Sequence, residues 1–103
     1  MPFKDIRKVL AYLHDNISRQ LTLREIAAVC EVTPEHLCRA FKQAVGCTPM
    51  AYVNEIRIEW AKTLLRSGVR PVSAIASQLG FSSLHHFSRI FKAGTGTPPS
   101  QFR

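Results

Sequence analysis

The chain has 103 residues, 46% of them hydrophobic and 20% charged, which is the composition of a folded globular domain and excludes a disordered chain. Lysine and arginine outnumber aspartate and glutamate by 14 to 7, and the formal net charge of +7 favours a polyanionic partner, either nucleic acid or an acidic membrane surface. No apolar run approaches the roughly 18 residues of a membrane span, and charges near the N-terminus exclude a signal peptide. We therefore predict a cytoplasmic protein without a membrane anchor.

Helix start and stop signals divide the first half of the chain into three helices. Apolar residues at helical spacing predict a first helix over residues 3–15. Thr22 and Glu25 have the spacing of a capping box, which starts a short second helix. Thr33 is a good N-cap for a third helix, followed by proline at the first helical position, and this helix ends at Gly46.

The second half contains one long helix and several short ones. The long helix is predicted over residues 49–67 and would be about 28 Å long. Shorter helices are predicted over residues 72–79 and 84–93, and a final turn or short helix over 98–102. The predicted fold class is all-α, with about seven helices and no strands.

Part of the sequence occurs twice. Several residues recur at an offset of 50 positions: Arg39, Phe41, Lys42, Gly46 and Pro49 correspond to Arg89, Phe91, Lys92, Gly96 and Pro99. At the same offset, Tyr52 corresponds to Phe102. Upstream, at an offset reduced by one, Ile26, Ala27 and Val32 correspond to Ile75, Ala76 and Phe81. Each copy consists of a short helix, a tight turn and a second helix, which describes a helix-turn-helix. We predict a first subdomain over residues 1–47, a linker helix over 48–67 and a second subdomain over 68–103.

The second helix of each copy has an apolar side and a basic side by the 3.6-residue period. The residues predicted to face inward are Leu37, Ala40, Phe41 and Ala44 in the first copy and Phe87, Ile90 and Phe91 in the second. The residues predicted to face outward are Glu35, Cys38, Arg39 and Lys42 in the first copy and His85, Ser88, Arg89 and Lys92 in the second. A solvated surface explains one such helix, but the duplication favours binding to DNA.

The dimensions of DNA fit this arrangement. The major groove admits one α-helix, and an arginine can donate two parallel hydrogen bonds to guanine, so Arg39 and Arg89 are the main candidates for base contacts. Two helices that bind one face of a duplex enter grooves about 34 Å apart, and the long helix is a suitable spacer. A monomer could then bind a bipartite, asymmetric site.

The stretch "IASQLGFSSLHHFSRIFKAGTGTPPSQFR" resembles the second helix-turn-helix and C-terminal signature of the AraC/XylS family of bacterial transcription regulators. "YVNEIRIEWAKTLL", with Tyr52, Arg57, Ala61, Leu64 and Leu65, is similar to the family's linker helix, and the resemblance covers roughly residues 5–103. It implies two homeodomain-like helix-turn-helix subdomains that bind double-stranded DNA and regulate transcription. It also implies that the base-facing positions are Glu35, Cys38 and Arg39 in the first copy and Leu84, His85 and Arg89 in the second. The predicted contact set is completed by Thr33, Pro34, His36, Lys42, Ser82, Ser83 and Lys92.

Three residues depart from the pattern or leave alternatives open. Glu31 occupies a turn position where such proteins usually have glycine, as Gly80 does in the second copy, and a left-handed backbone there would cost about 1 kcal/mol. The first turn is therefore expected to be either slightly different from the second or strained. The Glu35 carboxylate could accept a hydrogen bond from cytosine N4 or repel phosphate. Trp60 is expected to be a partly buried packing residue rather than an interface residue.

The sequence gives little support for a metal site, a disulfide framework or a catalytic site. Cys30, His36 and Cys38 lack zinc-site spacing, and the adjacent His85 and His86 point about 100° apart on a helix. Three cysteines do not form a disulfide framework, and no nucleophile and base are recognisable. We therefore predict no enzyme activity, no cofactor and no metal; a protein-interaction module with a basic face stays the alternative to DNA binding.

The resemblance also implies partners beyond DNA. Many members of the family carry a separate sensing or dimerisation domain, so this chain is either the C-terminal part of a larger regulator, which we favour, or a naturally small regulator. An activator of this kind is expected to contact RNA polymerase.

Overall fold

The computed structural model describes residues 6–102. In that range, all regular secondary-structure elements are helices. The elements are α1 (Ile6–Asp15), α2 (Leu23–Cys30), α3 (Pro34–Val45), α4 (Pro49–Ser67), α5 (Val72–Gln78), α6 (Leu84–Thr95) and a 3-10 helix (Pro99–Gln101). The all-α prediction of about seven helices is confirmed, with six α-helices and a 3-10 helix in the described range. The predicted start of the first helix at residues 3–5 and the final residue of the C-terminal signature lie outside the described residues.

The chain divides into two compact units. The first contains the residues up to Asn16 and the segment Leu21–Val53, and the second contains Ile17–Gln20 and the residues from Asn54 onward. The division therefore falls inside α4. The subdomain limits predicted from the sequence, at 47/48 and 67/68, stay a prediction.

The core of the first unit is built from one apolar side of each of its helices. Its buried side chains are Val9, Leu13, Leu21, Ile26, Ala27, Leu37, Ala40, Phe41 and Val53. Tyr52 packs at the border of this core. Its ring lies edge-on against Phe41 with centroids 5.7 Å apart, and its hydroxyl lies 2.9 Å from Nε2 of His14.

The predicted capping box at the start of α2 is present and is joined by a third residue. The Thr22 hydroxyl accepts from the Glu25 amide at 3.1 Å, and the Glu25 carboxylate accepts from the Thr22 amide at 3.1 Å. The second carboxylate oxygen of Glu25 accepts from the Tyr12 hydroxyl at 3.0 Å. Glu25 thus fixes the start of α2 and also ties it to α1.

Phenylalanine rings dominate the core of the second unit. Phe81 packs against Phe87 with ring centroids 4.9 Å apart, Phe87 against Phe91 at 5.7 Å, and Phe91 against Phe102 at 5.2 Å. The other buried members of this cluster are Ile58, Ala61, Ile75, Ala76 and Leu79. Each buried aromatic ring contributes a large apolar area, so this cluster is the main source of stability in the unit.

One charged side chain is buried in the second unit. Arg57 is 3% exposed; its Nε donates to the carbonyl of Ile17 at 3.0 Å and its Nη2 donates to the carbonyl of Arg19 at 2.6 Å. The guanidinium also lies over the ring of Phe81, 5.4 Å from the centroid. Burial lowers the pKa of Arg57 from its ordinary value, but an arginine stays charged in proteins. Arg57 therefore holds segment 17–20 against α4.

The turns of the two helix-turn-helix copies have the same backbone geometry. Glu31 and Gly80 are both left-handed, with φ of 58° and 82°. The residue after each donates its amide to the first helix of the copy: Val32 to the carbonyl of Ala27, and Phe81 to the carbonyl of Ala76, both at 3.1 Å. The sequence left open whether the first turn is different or strained, and the structure has the left-handed, strained form at Glu31.

Replacing Glu31 with glycine is expected to raise the free energy of unfolding by about 1 kcal/mol, because glycine adopts a left-handed backbone without the Cβ penalty. Urea denaturation followed by circular dichroism measures the change. Glu31→Gln is the matched control, since it removes only a carboxylate that lies unfavourably at the C-terminal end of α2. An equal gain from both variants would show that the backbone at this position is not strained.

Two packing predictions are wrong. Ala44 lies on the same side of α3 as Leu37 but is exposed, because it falls in the last turn of the helix, where nothing in the first unit covers it. Trp60 is 51% exposed and lies beside Thr63 and Leu64 in an open depression of about 220 Å³. Trp60 is therefore a surface residue of α4 and not a packing residue of the core.

Within residues 6–102, none of the helices combines the length and the apolar character of a membrane span.

Candidate nucleic-acid interface

The N-terminal ends of α3 and α6 are built in the same way. The Thr33 hydroxyl accepts from the amide of His36 at 3.1 Å, and the Ser83 hydroxyl accepts from the amide of His86 at 3.0 Å. Each helix ends at a left-handed glycine, whose amide donates to the carbonyl four residues earlier, that of Lys42 or Lys92. Both helices are therefore fixed at both ends by the same local interactions, although α6 ends at Thr95 and not at the predicted residue 93.

The predicted outward face of α3 is largely outward in the structure. Glu35, Arg39 and Lys42 are exposed, and Cys38 is half-buried between them and the core. Leu37 and Phe41, on the opposite side, are fully buried. Glu35 precedes Arg39 by four residues, the spacing at which opposite charges meet on a helix surface.

The face of α3 borders a shallow depression of about 450 Å³. It is lined by Leu23, Pro34, Glu35, Cys38, Arg39, Lys42 and Thr48. Five of these residues were predicted to contact DNA. Leu23 and Thr48 were not, because Leu23 belongs to the preceding helix and Thr48 to the loop after α3, and neither carries a signal of binding in the sequence.

The face of α6 repeats the arrangement with different residues in its first turn. Leu84, His85, Arg89 and Lys92 are exposed, whereas Phe87 and Phe91 are fully buried. Ser88, predicted to face outward, and Ile90, predicted to face inward, are both half-buried.

Some predicted contact residues already have a role within their own unit. Thr33 and Ser83 use their hydroxyl oxygens as N-caps, which leaves the hydroxyl hydrogen free to donate. The Ser82 hydroxyl lies 3.2 Å from Nδ1 of His86, whose ring packs edge-on against Phe81. His36 and His86 are both half-buried, so each side chain is partly withdrawn from its helix surface.

The chain matches the helix-turn-helix domain family over residues 12–103. It belongs to this family. It is 33% identical over 98 residues to the transcriptional activator RhaS of Klebsiella pneumoniae, covering 95% of this chain and 35% of that protein. It is 29% identical over 99 residues to the arabinose operon regulatory protein of Escherichia coli, covering 95% of this chain and 34% of that protein. The resemblance to AraC/XylS regulators is thereby confirmed.

A solved structure agrees with the family assignment. The C-terminal domain of AraT, a response regulator from Geobacillus stearothermophilus, superposes with a TM-score of 0.88 at 34% sequence identity, covering 95% of this chain and 82% of that one. This chain spans less than half of the length of the curated relatives it matches. As an AraC/XylS-type helix-turn-helix domain, it is a DNA-binding domain of the kind found in transcription regulators.

The cysteines of this helix-turn-helix domain are free thiols. Cys30, Cys38 and Cys47 are all half-buried. Burial raises the pKa of the Cys30 thiol, and the positive charge of Lys8 opposes that rise in part. Such a thiol is a poor nucleophile at neutral pH. No group of three histidine, cysteine, aspartate or glutamate side chains in the described range is placed to hold a metal ion.

Proposed function

We propose that the chain binds a specific bipartite site on double-stranded DNA, with α3 and α6 in successive major grooves, and thereby regulates transcription in a bacterium. The observation that carries the proposal is the duplication of one arrangement in two helix-turn-helix copies. In each copy an arginine and a lysine three residues later are exposed, opposite buried aromatic side chains. The proposed role is binding and not catalysis.

The residues of the two faces divide into base contacts and phosphate contacts. Arg39 and Arg89 would each donate two hydrogen bonds to guanine O6 and N7. Lys42 and Lys92 lie one turn further along each helix and are point charges suited to phosphate. Because phosphate contacts release counterions, the affinity should fall as salt is raised.

The N-terminal ends of α3 and α6 offer further contacts. Backbone amides and hydroxyls at a helix N-terminus bind phosphate oxygens well. We assign this role to the hydroxyl groups of Thr33, Ser82 and Ser83. Pro34, which has no N–H to donate, would contact the DNA through its ring. Glu35, His36, Cys38, Leu84 and His85 complete the proposed set, with Glu35 accepting from cytosine N4.

The intact regulator is proposed to have partners besides DNA. A sensing or dimerisation domain on the N-terminal side would supply the signal, and RNA polymerase would receive it if the protein is an activator. These partners would place the protein on the nucleoid in the bacterial cytoplasm.

Selection from a pool of randomised duplexes tests the proposal. The chain is expected to enrich a motif with two conserved blocks, because each recognition helix covers only a few base pairs. The double variant Arg39→Ala/Arg89→Ala is the matched control, since it keeps the caps and both buried faces. A wild-type pool without any enriched motif would contradict specific DNA binding.

Arg39→Ala and Arg89→Ala are each expected to weaken binding by about 1–3 kcal/mol and to relax the base preference in different blocks of the motif. Fluorescence polarisation against single-base variants of the selected duplex measures both effects. Arg39→Lys and Arg89→Lys are the controls, because lysine keeps the charge but cannot form the paired contact. An equal loss at every base position, restored by lysine, would mean that the arginines touch only phosphate.

A further inference from the structure

Leu84 is an exposed apolar residue at the start of α6. It is 46% exposed, and among the described residues only two other large hydrophobic side chains are so open, Trp60 and Val69. Trp60 lies on α4 and Val69 follows it, outside both helix-turn-helix copies. Leu84 is thus the one large apolar side chain of this group that lies on a proposed DNA-binding helix.

Leu84 lies on the polar side of α6. Ser88 and Lys92 follow at steps of four residues, and residues four apart lie on one side of a helix. The Ser83 cap directly before it fixes the backbone of the first turn, and with it the direction of the Leu84 Cα–Cβ bond. Leu84 therefore extends the basic face with an apolar end.

The two helix-turn-helix copies differ at this point. Pro34, which is half-buried, occupies the position of Leu84 in the first copy, and Glu35 occupies that of His85. The arginine and the lysine are shared by both copies. The two faces can therefore bind a guanine in the same manner, but they have different groups in the first turn.

Resting on the proposed function, we propose that Leu84 recognises the 5-methyl group of a thymine in the half-site bound by α6. A half-site is the part of the duplex that one recognition helix contacts. The thymine methyl is the one apolar group on the base edges of the major groove, and an exposed leucine is its natural partner. No equivalent side chain is present at the start of α3, so this thymine preference is specific to one half-site.

Deoxyuridine substitution tests the contact, because deoxyuridine lacks only the methyl group of thymidine. Each thymine of the selected duplex is replaced in turn, and the dissociation constant is measured by polarisation at fixed salt. One replacement, in the half-site whose base preference Arg89→Ala relaxes, is expected to weaken wild-type binding about three- to tenfold. Leu84→Ala should bind the thymine duplex as weakly as the wild type binds the deoxyuridine duplex, and should not distinguish the two.

Val69→Ala is the matched control, since it removes an exposed apolar side chain outside the DNA-binding helices; it should keep the wild-type response to deoxyuridine. The inference is overturned if wild-type binding is indifferent to every replacement, if that half-site contains no thymine, or if Leu84→Ala keeps the deoxyuridine loss. These outcomes leave specific binding intact, whereas a selection that enriches no motif contradicts both the proposed function and the inference.

Discussion

Arg57→Met is expected to lower the free energy of unfolding by about 2–4 kcal/mol. The substitution keeps the apolar stem of the side chain but removes both hydrogen bonds, so the carbonyls of Ile17 and Arg19 lose their donor. Loss of the donor to the carbonyl of Ile17, a buried residue, costs about 1–3 kcal/mol, and loss of the hydrogen bond to the part-buried carbonyl of Arg19 costs about 1 kcal/mol more. For a domain whose total stability is about 5–15 kcal/mol, the loss should be visible as a large fall in the urea midpoint.

The control for this prediction lies on the same helix. Arg66 is exposed, and its guanidinium lies over the ring of Phe102, 5.2 Å from the centroid. Arg66→Met should cost less than about 1 kcal/mol, because an exposed cation–π contact is weak. Similar losses for the two variants would contradict the role assigned to the buried hydrogen bonds.

Gly80→Ala is expected to lower the free energy of unfolding by about 2–4 kcal/mol, for two reasons that add. The left-handed backbone, with φ of 82°, costs a side chain about 1 kcal/mol. An added Cβ would also lie 2.6 Å from the carbonyl oxygen of Arg19 and 2.7 Å from its carbonyl carbon. Relief of that overlap requires the backbone of segment 17–20 to move, which costs about 1–3 kcal/mol more.

Gly96→Ala separates the two contributions. Gly96 has φ of 84°, and an added Cβ there would meet no atom within 4 Å. This variant should therefore show the conformational cost alone, about 1 kcal/mol. If thermal or urea denaturation gives the same loss of unfolding free energy for both alanine variants, the close approach of Arg19 does not contribute to the cost at Gly80.

The same comparison explains why the two turns differ in sequence. Glu31 and Gly80 share a left-handed backbone, but Glu31 is exposed, whereas a Cβ added at Gly80 would lie against the backbone of Arg19. A glutamate at position 31 is therefore destabilised only by the left-handed backbone. A side chain of any size at position 80 would also collide with Arg19.

Local chemistry explains why the helices could be predicted so closely. The capping box at Thr22, the N-caps at Thr33 and Ser83, and the terminal glycines act within a few residues of themselves. Their spacing is visible in the sequence, and the structure places helix ends where they predict. The repeat made the prediction stronger, because the N-cap and the terminal glycine of the second helix occur in both copies, although the capping box occurs only in the first.

Interactions between distant segments could not be predicted in this way. Arg57 stands in the linker helix like any solvated arginine, and nothing in the sequence shows that its partners are carbonyls 40 and 38 residues earlier. Helical periodicity gives only the direction of a side chain, so it did not reveal that Ala44 has no neighbour to cover it. The same limit applies to Trp60, which α4 presents to solvent.

The candidate site was predicted only in part for a similar reason. Periodicity placed Arg39, Lys42, Arg89 and Lys92 on outward faces, and all four are exposed. Leu23 and Thr48 entered the site because folding brings the residues before and after α3 next to it. The DNA contacts of the two arginines and the two lysines stay a prediction.

Two helix-turn-helix copies that bind one duplex together must meet both half-sites from the same side. The most direct measurement is the dissociation constant for a selected duplex before and after insertion of about five base pairs, half a helical turn, between the two half-sites. We expect the insertion to weaken binding at least about tenfold, to the level of a duplex with one half-site scrambled. An unchanged dissociation constant after the insertion would contradict simultaneous binding of α3 and α6 in successive grooves.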